Sequence, residues 1–132
     1  MHRILSDYEP HAYAVMRILI GVMFLCHGLQ KAVGAFGGVN GAPAPLFSLI
    51  GIAGWLEVIL GLMIALGVFT ALAAFLASGE MAFAYFIGHF PQGFWPIMNQ
   101  GVDAVLYCFI FLYIATRGPG VWSIDSIGTA TP

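Results

Sequence analysis

Charge is scarce in this chain: 132 residues hold four Lys or Arg and six Asp or Glu, 8% charged in all. A soluble domain carries about 25% charged residues, and a soluble bundle needs polar outer faces. With 61% hydrophobic residues and a mean hydropathy of +0.94, the segments are apolar nearly all round, which suits lipid on the outside. No basic cluster is present, and the net charge of −2 argues against a nucleic-acid partner. Cysteine is almost lacking. Cys26 and Cys108 fall in different apolar segments without C-x-x-C spacing, so they read as small buried hydrophobes, not as a zinc knuckle or a redox pair. No G-x-G-x-x-G, Walker or G-x-S-x-G pattern occurs. A basic leader is missing too: Met1–Ala12 carries Asp7, Glu9 and Pro10 before the first apolar run, so that run is expected to be retained.

What the chain does have is four apolar stretches, at about Tyr13–Lys31, Leu46–Leu66, Ala71–Phe90 and Val102–Ala115. The hydrocarbon core of a bilayer takes roughly 20 helical residues to cross; the fourth stretch reaches that length if it starts near Asn99. The expected fold class is therefore all-α: one domain over residues 1–132, an antiparallel four-transmembrane-helix bundle with helices at about 13–31, 46–66, 71–90 and 99–115 and both termini on one side. A Gly-rich connector ending in Pro43 and Pro45 follows the first helix, Gly67 marks a tight turn after the second, and Pro91 and Pro96 break the third connector. Phe94, Trp95 and Trp122 suit the membrane interface. Arg3, Arg17 and Arg117 lie near the terminal side and only Lys31 near the other. The positive-inside rule then puts the termini in the cytoplasm and the chain in the inner (plasma) membrane as a multi-pass protein.

Ionisable residues in hydrocarbon cost a few kcal/mol each and usually face the bundle interior. Arg17, Phe24, His27, Gly28 and Lys31 fall within an arc of about 80–100° on the first helix. Gly54, Glu57 and Gly61 share a face of the second, Glu80 lies with Ala73, Ala77, Ala84 and Gly88 on the third, and Asn99, Asp103, Tyr107 and Ile114 align on the fourth. Small residues let membrane helices approach closely, so these stripes are the inward faces. By helical rise, Glu57 and Glu80 lie near the midplane, His27 and Asp103 roughly 5–10 Å toward the outer side, and Lys31 and His89 nearer the outer surface. His27, Gln30, Lys31, Glu57, Glu80, Asn99 and Asp103 are expected to form one outward-opening cavity, with Arg17 reaching the midplane carboxylates from the inner side.

The bland alternative is a set of buried pairs that fix helix register, Arg17 with Glu57 or Glu80 and Lys31 with Asp103. Haem held by His27 and His89 is disfavoured, because His89 lies about 180° from Glu80 on an ideal helix. Copper through Cys26, His27 and Met63, Met81 or Met98 has no motif behind it. No metal site is expected.

Arg17-Ile-Leu-Ile-Gly21, His27-Gly28-Leu-Gln-Lys31, Gly54-Trp-Leu-Glu57-Val-Ile-Leu-Gly61, Asn99-Gln-Gly101-Val-Asp103 and Gly118-Pro-Gly-Val-Trp-Ser-Ile-Asp125 follow one another in an order that resembles the DoxX family of small four-helix membrane proteins. The match runs through roughly residues 13–125; one departure is Asp103, where the family often carries Glu. The resemblance implies a four-helix membrane bundle. It also points toward relatives associated with thiosulfate:quinone oxidoreduction and with membrane complexes that handle thiol and oxidative stress. On that footing the first expectation is a redox-linked subunit binding a quinone-like ligand. In it His27 and Lys31 hydrogen-bond the ligand, Glu57 and Asp103 orient it or relay protons, and Arg17, Glu80 and Asn99 hold the bundle. The second is a non-catalytic membrane scaffold or assembly partner of an oxidoreductase complex. Transport by so small a bundle is less favoured, although a homodimer could supply further helices. Whether the chain is an enzyme, and which substrate, electron acceptor or membrane redox partner it meets, is not legible.

Overall fold

Small residues inside and large apolar residues outside organise this molecule. The computed structural model describes residues 2–129, with side chains from Ile4 onward; the Arg3 side chain and the last residues of the tail lie outside what it describes. Four long helices carry the fold: α1 (Glu9–Val33), α2 (Leu49–Leu66), α3 (Thr70–Ala84) and α4 (Val102–Arg117). Ala73, Ala74, Ala77, Phe24, Ile64, Phe111 and Ile114 form the buried centre. Phe75, Phe83, Phe109 and Leu19 are more than half exposed on the outside, an arrangement that water would penalise and lipid does not. Among the described residues no strand occurs, only an isolated bridge between Val39 and Ala42 in the first connector.

Among the described residues, three segments are long and apolar enough to cross a membrane: Ser6–Val33, Leu49–Leu66 and Thr70–Gln92. α4 is shorter, 16 residues, or about 24 Å at 1.5 Å per residue. It starts at Val102 and not near Asn99, because Gln100 adopts a left-handed conformation at φ 61° and separates it from the short Pro96–Asn99 helix. α1 begins earlier than its apolar run suggests, since Pro10 is well suited to a helix's first turn. α2 begins later, at Leu49, because the Ser48 side chain caps it by accepting the Gly51 N–H at 3.0 Å.

The turn between α2 and α3 is a Schellman motif: the Val68 N–H donates to Met63 at 2.9 Å and Gly67, left-handed at φ 71°, to Ile64 at 3.3 Å. The C-terminal tail docks on it. Asp125 accepts hydrogen bonds from the Phe69 N–H, the Thr70 N–H and the Thr70 hydroxyl at 2.9, 2.9 and 2.8 Å, so α3 is capped from 55 residues away in sequence. These three hydrogen bonds, with the Arg17 charge nearby, hold the Asp125 carboxyl below its ordinary pKa, the Thr70 N–H contributing most. At the same end Tyr13 donates to the Gly118 carbonyl at 2.5 Å, and Arg117 pairs with Glu9 while its guanidinium sits 4.0 Å above the Tyr13 ring. The start of α1, the α2–α3 turn and the end of α4 thus meet at one end of the bundle, which brings the two terminal segments together.

Candidate functional site

The seam between α1 and α2 sets the geometry. Gly21 and Gly28 on α1 face Gly54 and Gly61 on α2, each pair seven residues apart. A Cβ on Gly28 would lie 2.5 Å from the Val58 nitrogen, and one on Gly61 would lie 2.6 Å from the Leu25 nitrogen. The two backbones therefore touch, as small-residue faces permit in membranes. This closeness lets Lys31 reach Glu57: Nζ donates to Oε1 at 2.5 Å, and Glu57 is 1% exposed. Lys31 thus pairs across the seam with Glu57 and not with Asp103. Helical side chains lean toward their own N-terminus, and on α1 that direction carries the ammonium down into the bundle.

Between α1, α3 and α4 lies a cavity of about 220 Å³ walled by His27, Lys31, Glu57, His89, Asp103 and Tyr107 over a floor of Phe24 and Met81. The four residues singled out from sequence as ligand contacts, His27, Lys31, Glu57 and Asp103, are separated by up to 76 positions in the chain and line this one space. Lys31 and Glu57 neutralise each other on one wall. His27 and Asp103 are exposed at its rim, where Asp103 sits in the first turn of α4.

Two wall residues were not anticipated as contacts. Tyr107 stands one turn below Asp103, is 8% exposed, and its buried hydroxyl has no hydrogen-bond partner; its ring meets Phe24, His27 and Phe111. The alignment of Asp103 and Tyr107 on one helix face was the signal for it. His89, expected to point away, faces inward. The reason is a π-helical turn over Tyr85–His89, which advances fewer degrees per residue than an α-helix and brings His89 round. Nδ1 of His89 lies 3.0 Å from the Asn99 carbonyl, and its ring stacks on Tyr85. The orientation used to set haem aside is therefore corrected.

The remaining polar residues lie elsewhere. Arg17 pairs with neither Glu57 nor Glu80. Fully buried, it donates to the carbonyls of Ile64 and Ala65 at 2.7 and 2.8 Å, and to Val121 and Trp122 at 3.3 and 2.7 Å. The N-terminal lean that turns Lys31 inward turns Arg17 away from the midplane, toward the last carbonyls of α2. Glu80 lines a neighbouring cavity, and both its carboxylate oxygens are buried without a partner. Asn99 is a loop clamp: its amide donates to Gly93 and Tyr85 at 2.7 and 3.2 Å and its oxygen accepts the Gly101 N–H at 2.9 Å. Gln30 faces a separate surface hollow with Phe36. The single cavity expected from the sequence is thus divided. Among the described residues no three His, Cys, Asp or Glu side chains converge as a metal shell would require.

The family-level comparison fits these features. A sequence model of DoxX matches residues 12–90, more than half of the chain. The chain belongs to the DoxX family. An uncharacterized protein of Haemophilus influenzae is 38% identical over 128 residues, covering 92% of this chain and 94% of the relative. An uncharacterized membrane protein of Mycobacterium tuberculosis is 27% identical, covering 93% and 85%. No solved structure matches. The DoxX match covers α1 to the end of the α3 segment, and so includes the glycine seam, the Lys31–Glu57 pair and Glu80; Asp103, Tyr107 and Asp125 lie beyond it.

Proposed function

We propose that this DoxX protein is a single-domain bundle whose four long helices all cross the inner membrane with both termini in the cytoplasm, and that it binds a small lipid-soluble ligand of quinone type between α1, α3 and α4. The observation that carries the reading is the convergence of His27, Lys31, Glu57 and Asp103 on one cavity. The polar turn at residues 96–101, with Trp95 and Phe94 exposed beside it, would carry α4 to the outer interface. Arg17 and Arg117 at the terminal end support a cytoplasmic placement.

The residues fit a carbonyl-bearing head group. The unpartnered Tyr107 hydroxyl is a donor at the wall, and the His27 ring offers a second at the rim. Lys31, held by Glu57, fixes the wall and sets its charge. Asp103 at the exposed rim would exchange protons with water on the outer side. A quinone, when bound, supplies two-electron redox chemistry coupled to proton uptake; the protein's part is to seat it and move the protons. Electrons would come from a membrane partner.

A second reading has its own support: the closed Lys31–Glu57 pair and the Arg17 network account for much of the buried charge as helix glue. Under it the chain is a scaffold or assembly partner. Purification in mild detergent, with mass spectrometry of extracted small molecules, separates the two. The ligand reading expects a stoichiometric quinone that His27→Ala and Glu57→Gln lose while the protein stays folded. A folded, empty wild type, or variants that lose only folding yield, would give the scaffold reading the field.

A further inference from the structure

A second cavity, of about 210 Å³, lies beyond the Lys31–Glu57 pair in the cleft between α2 and α3. Its flanks are Leu49 and Ile50 on α2 and Phe83 and Ile87 beyond them on the α3 segment, each about half exposed on the apolar outer surface. It therefore opens sideways, toward lipid. Its polar atoms are unusual in kind. The Lys31 ammonium is engaged by Glu57 Oε1, and His89 Nδ1 by the Asn99 carbonyl. Three carboxyl oxygens there, Glu57 Oε2 and both of Glu80, are buried and without a partner. Glu57 is 99% buried by its 1% exposure, so water does not serve its second oxygen. Two carboxyl groups thus border this apolar slot, and of the two only Glu57 is bonded to the lysine.

We infer that the α2–α3 cleft binds an apolar organic cation bearing N–H donors, in chemical class a primary alkylammonium. Its head group sits between Glu80 and Glu57 Oε2, and its hydrocarbon chain lies along Leu49, Ile50, Phe83 and Ile87. A buried acceptor without a partner costs free energy that a donor restores, and an ammonium carries three N–H donors for three such oxygens. This site adjoins the quinone-type cavity across the shared Lys31–Glu57 pair, and Glu80, which lines only the second cavity, is what separates the two in a test.

The test is binding of radiolabelled n-octylammonium to the full-length protein in lipid nanodiscs, with empty nanodiscs subtracted for partition. Saturable binding near one per chain is expected, with n-octanol and octanoate competing at least about thirtyfold more weakly, the ratio set by removing one partner of a buried charged pair. Glu80→Gln should weaken binding by about thirtyfold or more. Asp7→Asn, on the exposed N-terminal turn, should leave it unchanged. If Glu80→Gln fails to fold, Ile50→Trp, which fills the slot from its lipid-facing rim, should abolish binding. Unsaturable uptake, octanol competing as well as octylammonium, or full affinity in the Glu80→Gln or Ile50→Trp protein would overturn the inference.

Discussion

Replacing Arg17 by Met separates two accounts of the buried charge. Methionine keeps an unbranched apolar side chain of similar reach and removes the guanidinium, so the loss is mainly polar. The guanidinium serves four carbonyls on two chain segments, Ile64 and Ala65 at the end of α2 and Val121 and Trp122 in the tail. Helix-end carbonyls have no intrahelical partner, and leaving a buried acceptor unsatisfied costs about 1–3 kcal/mol. The Ile64 carbonyl keeps the Gly67 N–H, but the Ala65 and Trp122 carbonyls lose their donor; with loss of the favourable cation at the α2 terminus, the expected destabilisation is roughly 3 kcal/mol. Arg17→Lys should recover only part of it, because one ammonium cannot fork toward two pairs of acceptors. The assay is denaturant-driven unfolding in bicelles, followed by tryptophan fluorescence and circular dichroism. A double-mutant cycle with Glu80→Gln makes it decisive. Residues without contact or shared partners couple by less than about 0.5 kcal/mol, whereas members of one ion pair couple by about 0.5–3. A coupling above 1 kcal/mol between Arg17 and Glu80, or an Arg17→Met cost below 1, would refute the assignment of Arg17 to the carbonyls.

Three further outcomes follow from the same geometry. Gly28→Ala places a Cβ 2.5 Å from the Val58 nitrogen and should cost about 1–3 kcal/mol by overpacking, while Gly79→Ala meets nothing within 4 Å and should be neutral or stabilising by up to about 1 kcal/mol; both are read by the same unfolding assay. Lys31→Met leaves Glu57 buried without its cation and should cost about 3–5 kcal/mol, most of which Lys31→Met combined with Glu57→Gln should regain, as melting temperatures in detergent would show. Asp125 is held below its ordinary pKa by its bonds to Phe69 and Thr70, so its contribution is full above about pH 4, its unfolded value, and is lost as pH falls through the lower folded value. The melting-temperature gap between wild type and Asp125→Asn should therefore stay constant near neutral pH and shrink in acid; a gap independent of pH would show that the carboxylate charge is not what caps α3.

The inward faces were legible from periodicity, because a stripe of glycines and alanines marks the face that packs; of the seven polar residues expected in one cavity, His27, Lys31, Glu57 and Asp103 line it, while Gln30, Glu80 and Asn99 lie elsewhere. The errors at Arg17 and Lys31 share a cause that periodicity omits, the direction of the side chain along the helix. Placing Arg17 and Lys31 by their Cα depth sent the first toward the midplane and the second toward the surface. Both side chains lean the other way, toward the start of α1, and so Arg17 finds helix-end carbonyls and Lys31 finds Glu57. His89 was misplaced for a different reason, a π-helical turn that shifts every later residue around the helix. Asp125 carried no local signal at all, since its partners at Phe69 and Thr70 become neighbours only when the tail folds back on the α2–α3 turn.

The distribution of satisfied and unsatisfied polar atoms bears on the choice between ligand site and scaffold. At the terminal end of the bundle Tyr13, Arg17, Ser123 and Asp125 all have partners, most of them backbone groups, and Asn99 is likewise clamped at the opposite end. Such residues explain assembly without further chemistry. Among the described residues five buried side-chain atoms have no hydrogen-bond partner: one is Arg17 Nε at the terminal end, and the other four, Glu57 Oε2, both oxygens of Glu80 and the Tyr107 hydroxyl, belong to residues lining the two cavities. Glue that leaves its own atoms unsatisfied is poor glue, because a buried acceptor without a donor loses more than an apolar residue of the same shape would. A bundle selected only for packing would gain by exchanging Glu80 for leucine. Retaining a carboxylate there has a physical rationale when something from outside the chain completes its hydrogen bonds, and the cleft that opens from Glu80 toward lipid gives that partner a way in.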